Sequence, residues 1–316
     1  MNTMFPDRAD ARFPGAGRRK FAFLAGCSLL TLSIAAPAWA LDVDDDTTTP
    51  VTSSTADDGA PGDVTITDDG EIDISGQDGA TAVTVDSDNS VTNEGSILSE
   101  DTDNTTGIHV LADTVGSITN NGTIYLNEDY TRTDDDDDDD VDGPLAIGAN
   151  RTAILVDSGG TLTGDITLGV GSAILVEGND SAGIVVGSAL DGSFKSDGSI
   201  SVTGDNALAL SFEESVSGDI LISGSVSARG ENATGLVVGG DVGGTLTIDS
   251  SVSSTGFTST GQTNYIAPSY VDEDTDPVED RLDEDDLYDN TGTVFINGSV
   301  DGGILINGAV DDFYSD

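Results

Sequence analysis

The sequence predicts an all-β fold: a parallel β-helix (β-solenoid) with about 25–27 residues and three short strands per coil, carrying acidic loop insertions. Three observations predict it. Branched apolar residues recur at one period, each repeat contains short segments in which apolar and polar residues alternate, and Gly, Asn and Asp separate these segments. Alternation with a period of two is typical of a strand with one buried and one solvated face. Such short segments between turn-forming residues exclude helices.

The first segment of each repeat gives the period. A small residue is followed by one more residue and then by branched residues at alternate positions, the first of them at Ile72, Ile97, Ile124, Ile174, Ile200, Val226 and Val252. Successive members are 25, 27, 50, 26, 26 and 26 residues apart, so the long step contains one repeat and an inserted loop. We predict that these residues form one column inside the solenoid. The small residues are expected where the backbone bends sharply.

Two further segments complete each repeat. The second places its first branched residue at Val83, Ile108, Ile154, Ile184, Leu208 and Leu236. The third, which is shorter, is assigned to Ile118, Leu162, Phe194, Ile220 and Leu246. Branched residues suit stacked strands, and one coil alone cannot bury its apolar face, so we expect stability to come from neighbouring coils.

The first forty residues have the three parts of a secretory signal: five basic residues, an apolar run over 21–36, and the small-x-small sequence Ala38-Trp39-Ala40. Two alternatives stay open, acylation of Cys27 and twin-arginine export through Arg18 and Arg19. The predicted organisation is a signal peptide (1–40), an acidic Thr/Ser-rich leader or cap (41–62), a β-helix (63–258) with an acidic loop near 129–149, an acidic disordered insertion (259–290), and further coils (291–316) that we expect to continue beyond Asp316.

The chain is strongly acidic. It has 59 acidic and 10 basic residues among 316, a formal net charge of −49. The predicted signal peptide contains two of the acidic and five of the basic residues, so the exported part carries −52 and lacks cysteine. Such a surface repels nucleic acid and anionic membranes and attracts cations and basic partners. We therefore predict no nucleic-acid partner.

The sequence offers little catalytic chemistry. The single histidine, His109, lies between Ile108 and Val110, so alternation points it outward as a lone exposed side chain. One histidine argues against a His-based triad or a zinc site. A polysaccharide-cleaving enzyme would need a base, and no spacing groups the cations of the exported part, Arg132, Arg151, Lys195, Arg229 and Arg281. We predict a non-enzymatic protein with no catalytic or cofactor-binding residues.

Weak Ca²⁺ association is the one metal chemistry considered, because oxygen ligands in flexible loops suit this ion. The candidate ligands are in the two acidic insertions: Asp134, Asp136, Asp138, Asp140, Asp283, Asp285 and Asp286. The alternative interpretation is that both insertions are solvated, self-repelling loops.

The secretory signal, the coils Gly198-Ser-Ile-Ser-Val-Thr-Gly-Asp-Asn206 and Gly224-Ser-Val-Ser-Ala-Arg-Gly-Glu-Asn232, and the turn Asn120-Asn121-Gly122-Thr123 together resemble the passenger region of a bacterial autotransporter. The resemblance implies a right-handed parallel β-helix, adhesive in most members and enzymatic in a minority. It also implies a C-terminal β-barrel translocator, which is absent from this chain. Either the barrel lies beyond Asp316, or the protein is released by another route.

These observations lead us to expect an exported structural or adhesive passenger at the cell surface, outer membrane or outside the cell. Its expected partners are molecules of host or neighbouring cells, or polysaccharide. The alternatives are a secreted polysaccharide-active enzyme and a Ca²⁺-organised surface-layer or biofilm matrix protein. A groove with clustered carboxylates and Arg or Lys would favour the enzyme, and a uniform Ser/Thr/Asp face would count against it.

Overall fold

Each coil of the solenoid contributes one strand to each of three nine-stranded parallel sheets, which confirms the predicted fold class. The computed structural model describes residues 40–132, 144–256, 292–310 and 313–315. Sheet A contains β1 (Leu41–Val43), β4 (Val64–Ile66), β7 (Val91–Asn93), β10 (Ile118–Asn120), β14 (Ile166–Leu168), β18 (Phe194–Ser196), β21 (Ile220–Ile222), β24 (Leu246–Ile248) and β27 (Ile304–Ile306).

The other two sheets follow sheet A in every coil. Sheet B contains β2 (Asp46–Thr47), β5 (Glu71–Asp73), β8 (Ser96–Glu100), β11 (Thr123–Asn127), β15 (Ala173–Glu177), β19 (Ser199–Thr203), β22 (Val226–Arg229), β25 (Ser251–Thr255) and β28 (Ala309–Val310). Sheet C contains β3 (Val51–Thr52), β6 (Thr81–Val85), β9 (Thr106–Val110), β12 (Thr152–Val156), β16 (Ala182–Val186), β20 (Leu208–Phe212), β23 (Thr234–Val238), β26 (Val294–Ile296) and β29 (Phe313–Ser315).

The predicted column is present in sheet B. Its seven members are Cα partners in consecutive coils, from Ile72 paired with Ile97 to Val226 paired with Val252. All seven are at most 1% exposed. Neighbouring strands lie about 4.8 Å apart, so each side chain packs directly on its counterparts in the adjacent coils. The period read from the sequence is therefore the period of the core.

Two of the predicted alignments are wrong. In sheet C, Ile184 pairs with Leu210 and not with Leu208. The sequence offers two small–Leu pairs in succession, and the chain uses Ala209-Leu210, which places Phe212 in the core and leaves Leu208 half-exposed. In sheet A, Phe194 pairs with Ile166, not with Leu162.

Leu162 belongs to a fourth ladder that the three-strand prediction lacks. The strands β13 (Thr161–Thr163) and β17 (Ala189–Asp191) pair with each other, and single bridges continue the ladder through Val216 and Val242. Its inward residues Leu162, Leu190, Val216 and Val242 are buried. In this part of the solenoid the coil thus has a fourth short side.

Residues 41–62, predicted as a leader or cap, form the first coil. The strands β1, β2 and β3 pair with their counterparts in the second coil, and a short 3-10 helix follows at Ser53–Thr55. Asp86 of the second coil binds this helix. Its carboxylate accepts hydrogen bonds from the Ser54 backbone N–H (2.9 Å), the Ser54 hydroxyl (2.8 Å) and the Ser53 hydroxyl (3.3 Å).

A column of small residues precedes the strands of sheet B: Gly70, Gly95, Gly122, Ser172, Gly198, Gly224, Ser250 and Gly308. Small residues are required here because neighbouring coils approach each other closely. A Cβ on Gly224 would lie 1.7 Å from the carbonyl oxygen of Gly198, and one on Gly122 would lie 2.0 Å from that of Gly95. The close approach, and not a left-handed backbone conformation, explains these glycines, since none of them has a positive φ.

Replacing Gly224 with alanine is expected to lower the free energy of unfolding by about 1–3 kcal/mol, because the new methyl group forces the seventh coil away from the sixth. Urea unfolding followed by circular dichroism measures this change. The matched control is Ser250→Ala, one coil further in the same column, where the chain already accommodates a Cβ. Equal stabilities for the two variants would contradict the steric explanation.

The bonds to Asp86 make the stability of the first coil pH-dependent. Burial works to raise the pKa of Asp86, but the hydrogen bonds from Ser54 and Ser53 outweigh it and hold the pKa below the ordinary value of 3.8. The stabilisation is therefore present above 3.8 and is lost as the pH falls through the lower folded-state pKa. We expect Asp86→Asn to unfold more easily than the wild type at neutral pH, and the difference to shrink in acid. The exposed Asp69→Asn variant controls for the loss of one charge, and a pH-independent difference would contradict the assignment.

Candidate functional site

A pocket of about 440 Å³ lies at the base of the insertion between β11 and β12. Its lining residues are Asp101, Asp103, Glu128, Asp129, Tyr130, Thr131, Ile147, Gly148 and Arg151. The turn after β8 supplies the first two, and both ends of the insertion supply the rest. The pocket thus lies between the third coil and the two ends of the insertion in the fourth coil.

Arg151 is the centre of this site. Its guanidinium is 1% exposed and contacts three different coils. Nε donates to the carbonyl oxygen of Thr102 (2.8 Å), and Nη2 lies 3.3 Å from the Asp103 carboxylate. Nη1 donates to Glu128 Oε2 (3.3 Å) and to the carbonyl oxygen of Glu177. A buried cation needs such partners, because an unpaired charge is costly away from water.

Glu128 closes the base of the insertion. This carboxylate is 4% exposed and accepts backbone hydrogen bonds from Ile147 (2.8 Å) and Gly148 (2.7 Å) in addition to its pairing with Arg151. Because Glu128 precedes the insertion and the two donors follow it, the carboxylate fixes both ends of the loop together. The arrangement commits the guanidinium and the carboxylate to holding the two ends of the insertion.

The other basic residues within the described ranges, Arg132, Lys195 and Arg229, also interact with neighbouring groups. Lys195 Nζ lies 2.6 Å from Asp197 Oδ2 at the surface. Burial lowers the pKa of Arg229, and the positive charge of Arg132 lowers it further. Sequence spacing did not group these cations. The fold nevertheless brings Arg132 close enough to Arg229 for its charge to lower the pKa of Arg229, although the two residues are far apart in sequence.

His109 points outward, as alternation predicts, but it is not a lone exposed side chain. It is 25% exposed, and its Nε2 lies 2.7 Å from Asp157 Oδ1 in the next coil. The partner is 48 residues away in sequence, which is why local pattern alone did not identify it.

The predicted Ca²⁺ ligands are not placed. Asp134, Asp136, Asp138 and Asp140 lie in residues 133–143, and Asp283, Asp285 and Asp286 lie in residues 257–291, both outside the described residues. Within the described ranges, no group of three or more His, Cys, Asp or Glu side chains has an arrangement that holds a metal ion.

Both insertions leave the solenoid at the same corner. One replaces the turn between β11 and β12, and the other replaces the turn between β25 and β26, so each joins a strand of sheet B to a strand of sheet C. In intervening coils this turn is short and contains a left-handed residue, with φ of 52° at Asp180 and 57° at Asn206 and Asn232. Asn and Asp tolerate this conformation better than other non-glycine residues.

Many polar side chains outside the insertions link consecutive coils. At the turn into sheet A, a side-chain oxygen in one coil accepts a hydrogen bond from the backbone N–H of the equivalent residue in the next coil. The N···O distances are 2.7 to 3.2 Å. The acceptors are Asp63, Ser90, Ser117, Asp165, Ser193 and Asp219. The sequence pattern predicted Asp as a turn residue and as surface charge but not as an acceptor for the next coil, although these Asp and Ser residues recur with the repeat.

Replacing Arg151 with methionine is expected to destabilise the protein by about 3–5 kcal/mol, because Glu128 is left buried without its cation. The double variant Arg151→Met/Glu128→Gln should recover part of this loss. Lys195→Met, which removes a cation from an exposed pair, should change stability by about 1 kcal/mol or less. Urea unfolding checks all three. An equal, small effect of Arg151→Met and Lys195→Met would show that the network does not hold the insertion.

Comparison with protein-family models, curated proteins and solved structures gives no match to this chain. Among the described residues, no helix has the length and apolar character needed to cross a membrane.

Proposed function

We propose that this chain is an exported, non-catalytic passenger of the autotransporter type, which acts at the cell surface in structural or adhesive contact. Export is supported by the secretory features of the first forty residues. Adhesion is supported by the stacked solenoid. The observation that carries the proposal is that outward positions of the three sheets recur in register along successive coils. A repeated surface favours multivalent contact, in which several weak interactions act together.

The distribution of basic residues favours adhesion over polysaccharide cleavage. An enzyme of that class needs a cation or base beside clustered carboxylates. The pocket does gather four carboxylates around Arg151. This guanidinium, however, is buried and bonded to Glu128 and to two backbone carbonyl oxygens, and Lys195 forms a local pair at the surface. The outer face of sheet B in the sixth to eighth coils carries mainly Ser and Thr. A uniform Ser/Thr/Asp face was the feature expected of a non-enzymatic passenger, and Arg229 in the seventh coil interrupts this one.

Export and display are tested on the full chain in its native organism. We expect antibodies against the exported part to label intact cells, and mass spectrometry to find a mature N-terminus at Leu41. Substituting Ala38 and Ala40 with phenylalanine should block cleavage, because the peptidase requires small residues there. Cys27→Ser, the control, should leave the mature protein unchanged. An intact N-terminus on a protein found only inside the cell would contradict the proposal.

A further inference from the structure

The outer face of sheet B carries a regular array of serines. It consists of three pairs, one in each of the sixth, seventh and eighth coils: Ser199 and Ser201, Ser225 and Ser227, and Ser251 and Ser253. Ser201, Ser227 and Ser253 are Cα partners in consecutive strands. The array, here called the serine face, therefore repeats about every 4.8 Å along the axis and about every 7 Å along each strand.

The hydroxyls of the serine face are available to a ligand. All six side chains are exposed or half-exposed. Ser227 Oγ makes one long hydrogen bond to the Ile200 carbonyl oxygen (3.4 Å), and the other five make none with any residue that the structure describes. Serines of the turn ladder differ, since Ser90, Ser117 and Ser193 each accept a backbone hydrogen bond. Serine is also a poor choice for strand stability alone, because branched residues pack better there.

An apolar stripe continues the serine face in the preceding coils. The column of Ser201 passes through Leu175, Tyr125 and Leu98, which are successive Cα partners and half-exposed. Tyrosine combines an apolar ring with a polar hydroxyl, a combination enriched at binding surfaces. The column thus presents hydroxyls at one end and an aromatic and aliphatic surface at the other.

The charge of this face selects its partner. The chain carries a net charge of −49, yet none of the six serines or the three apolar residues is charged. Charged neighbours on the same outer face, Glu177 and Arg229, lie at the ends of β15 and β22, next to the turn into sheet C. Anionic polymers are repelled by the surrounding protein, and basic partners are drawn to the acidic turns instead of to this uncharged strip. A neutral polyhydroxylated polymer matches it: its hydroxyls pair with serine hydroxyls, and its apolar ring faces lie against Tyr125 and the leucines.

We infer that the serine face and its apolar stripe form the docking surface for a neutral polysaccharide, which lies along the solenoid axis. This inference rests on the proposed adhesive function and identifies its partner class. Because the contact uses hydroxyls and apolar surface, binding should change little between low and high salt, unlike contacts between charges.

Native affinity electrophoresis of the exported chain tests the inference with hydroxyethylcellulose, barley β-glucan, soluble starch and dextran as neutral probes and alginate as the anionic one. We expect at least one neutral polymer to retard the protein and alginate not to. Ser201→Glu/Ser227→Glu should weaken that retardation about tenfold or more, because it places unpaired carboxylates under the ligand. The control Thr119→Glu/Thr167→Glu adds the same charge to half-exposed, paired positions of sheet A and should bind as the wild type does.

Circular dichroism and urea unfolding establish that both double variants fold. Lack of retardation by all four neutral polymers, or equal binding by the two double variants, would overturn the inference. Concentration-dependent self-association abolished only by Ser201→Glu/Ser227→Glu, without polysaccharide binding, would also overturn it and assign the face to a second copy of the chain. Surface labelling of cells that express the serine-face variant tests display separately from polysaccharide docking. We expect the variant to be displayed like the wild type even though it binds polysaccharide weakly.

Discussion

The structure depends on the stacking of each inward side chain on the same position of the coils before and after it. The last strand of sheet A shows how strongly burial depends on these neighbours. Leu246 and Ile248 in β24 have a paired strand on both sides and are 0% exposed, whereas Ile304 and Ile306 in β27 are paired on one side and are 42% and 39% exposed. The residue types are equivalent, so the difference comes from the neighbouring coil. Stability in such a fold is a sum of contacts between neighbours, as in other repeat proteins.

The same constraint explains much of the composition. Because coils approach closely before sheet B, a Cβ there meets the carbonyl oxygen of the preceding coil, as at Gly224. Asp and Ser recur at the turn into sheet A, where their side-chain oxygens accept the backbone N–H of the next coil. An Asp in this protein can therefore serve the backbone of its neighbour, and acidity alone does not indicate cation binding.

Sequence periodicity predicted the fold class and the main column because both depend on a local pattern that recurs. It failed where two local patterns fit equally, as at Leu208 and Leu210. It also failed where polar groups lie inside. Asn93 and Asn120 occupy an inward column of sheet A at 0% exposure, joined by a 2.7 Å hydrogen bond, and alternation of apolar residues does not reveal them. The candidate site was missed for a related reason: Arg151 contacts Glu128 and Thr102 across 23 and 49 residues.

The location of the insertions follows from the stacking constraint. Strand positions are fixed by the coils on either side, so extra residues are tolerated only in turns, and both insertions occupy the turn between sheets B and C. Such an insertion separates two strands that must still stack, and in the fourth coil the pair of Arg151 and Glu128 holds its ends together. Acidic residues are then concentrated at corners, while the strand faces stay free to differ. The serine face is one such face: its six serines are uncharged, and its charged neighbours Glu177 and Arg229 lie at the strand ends next to the corner.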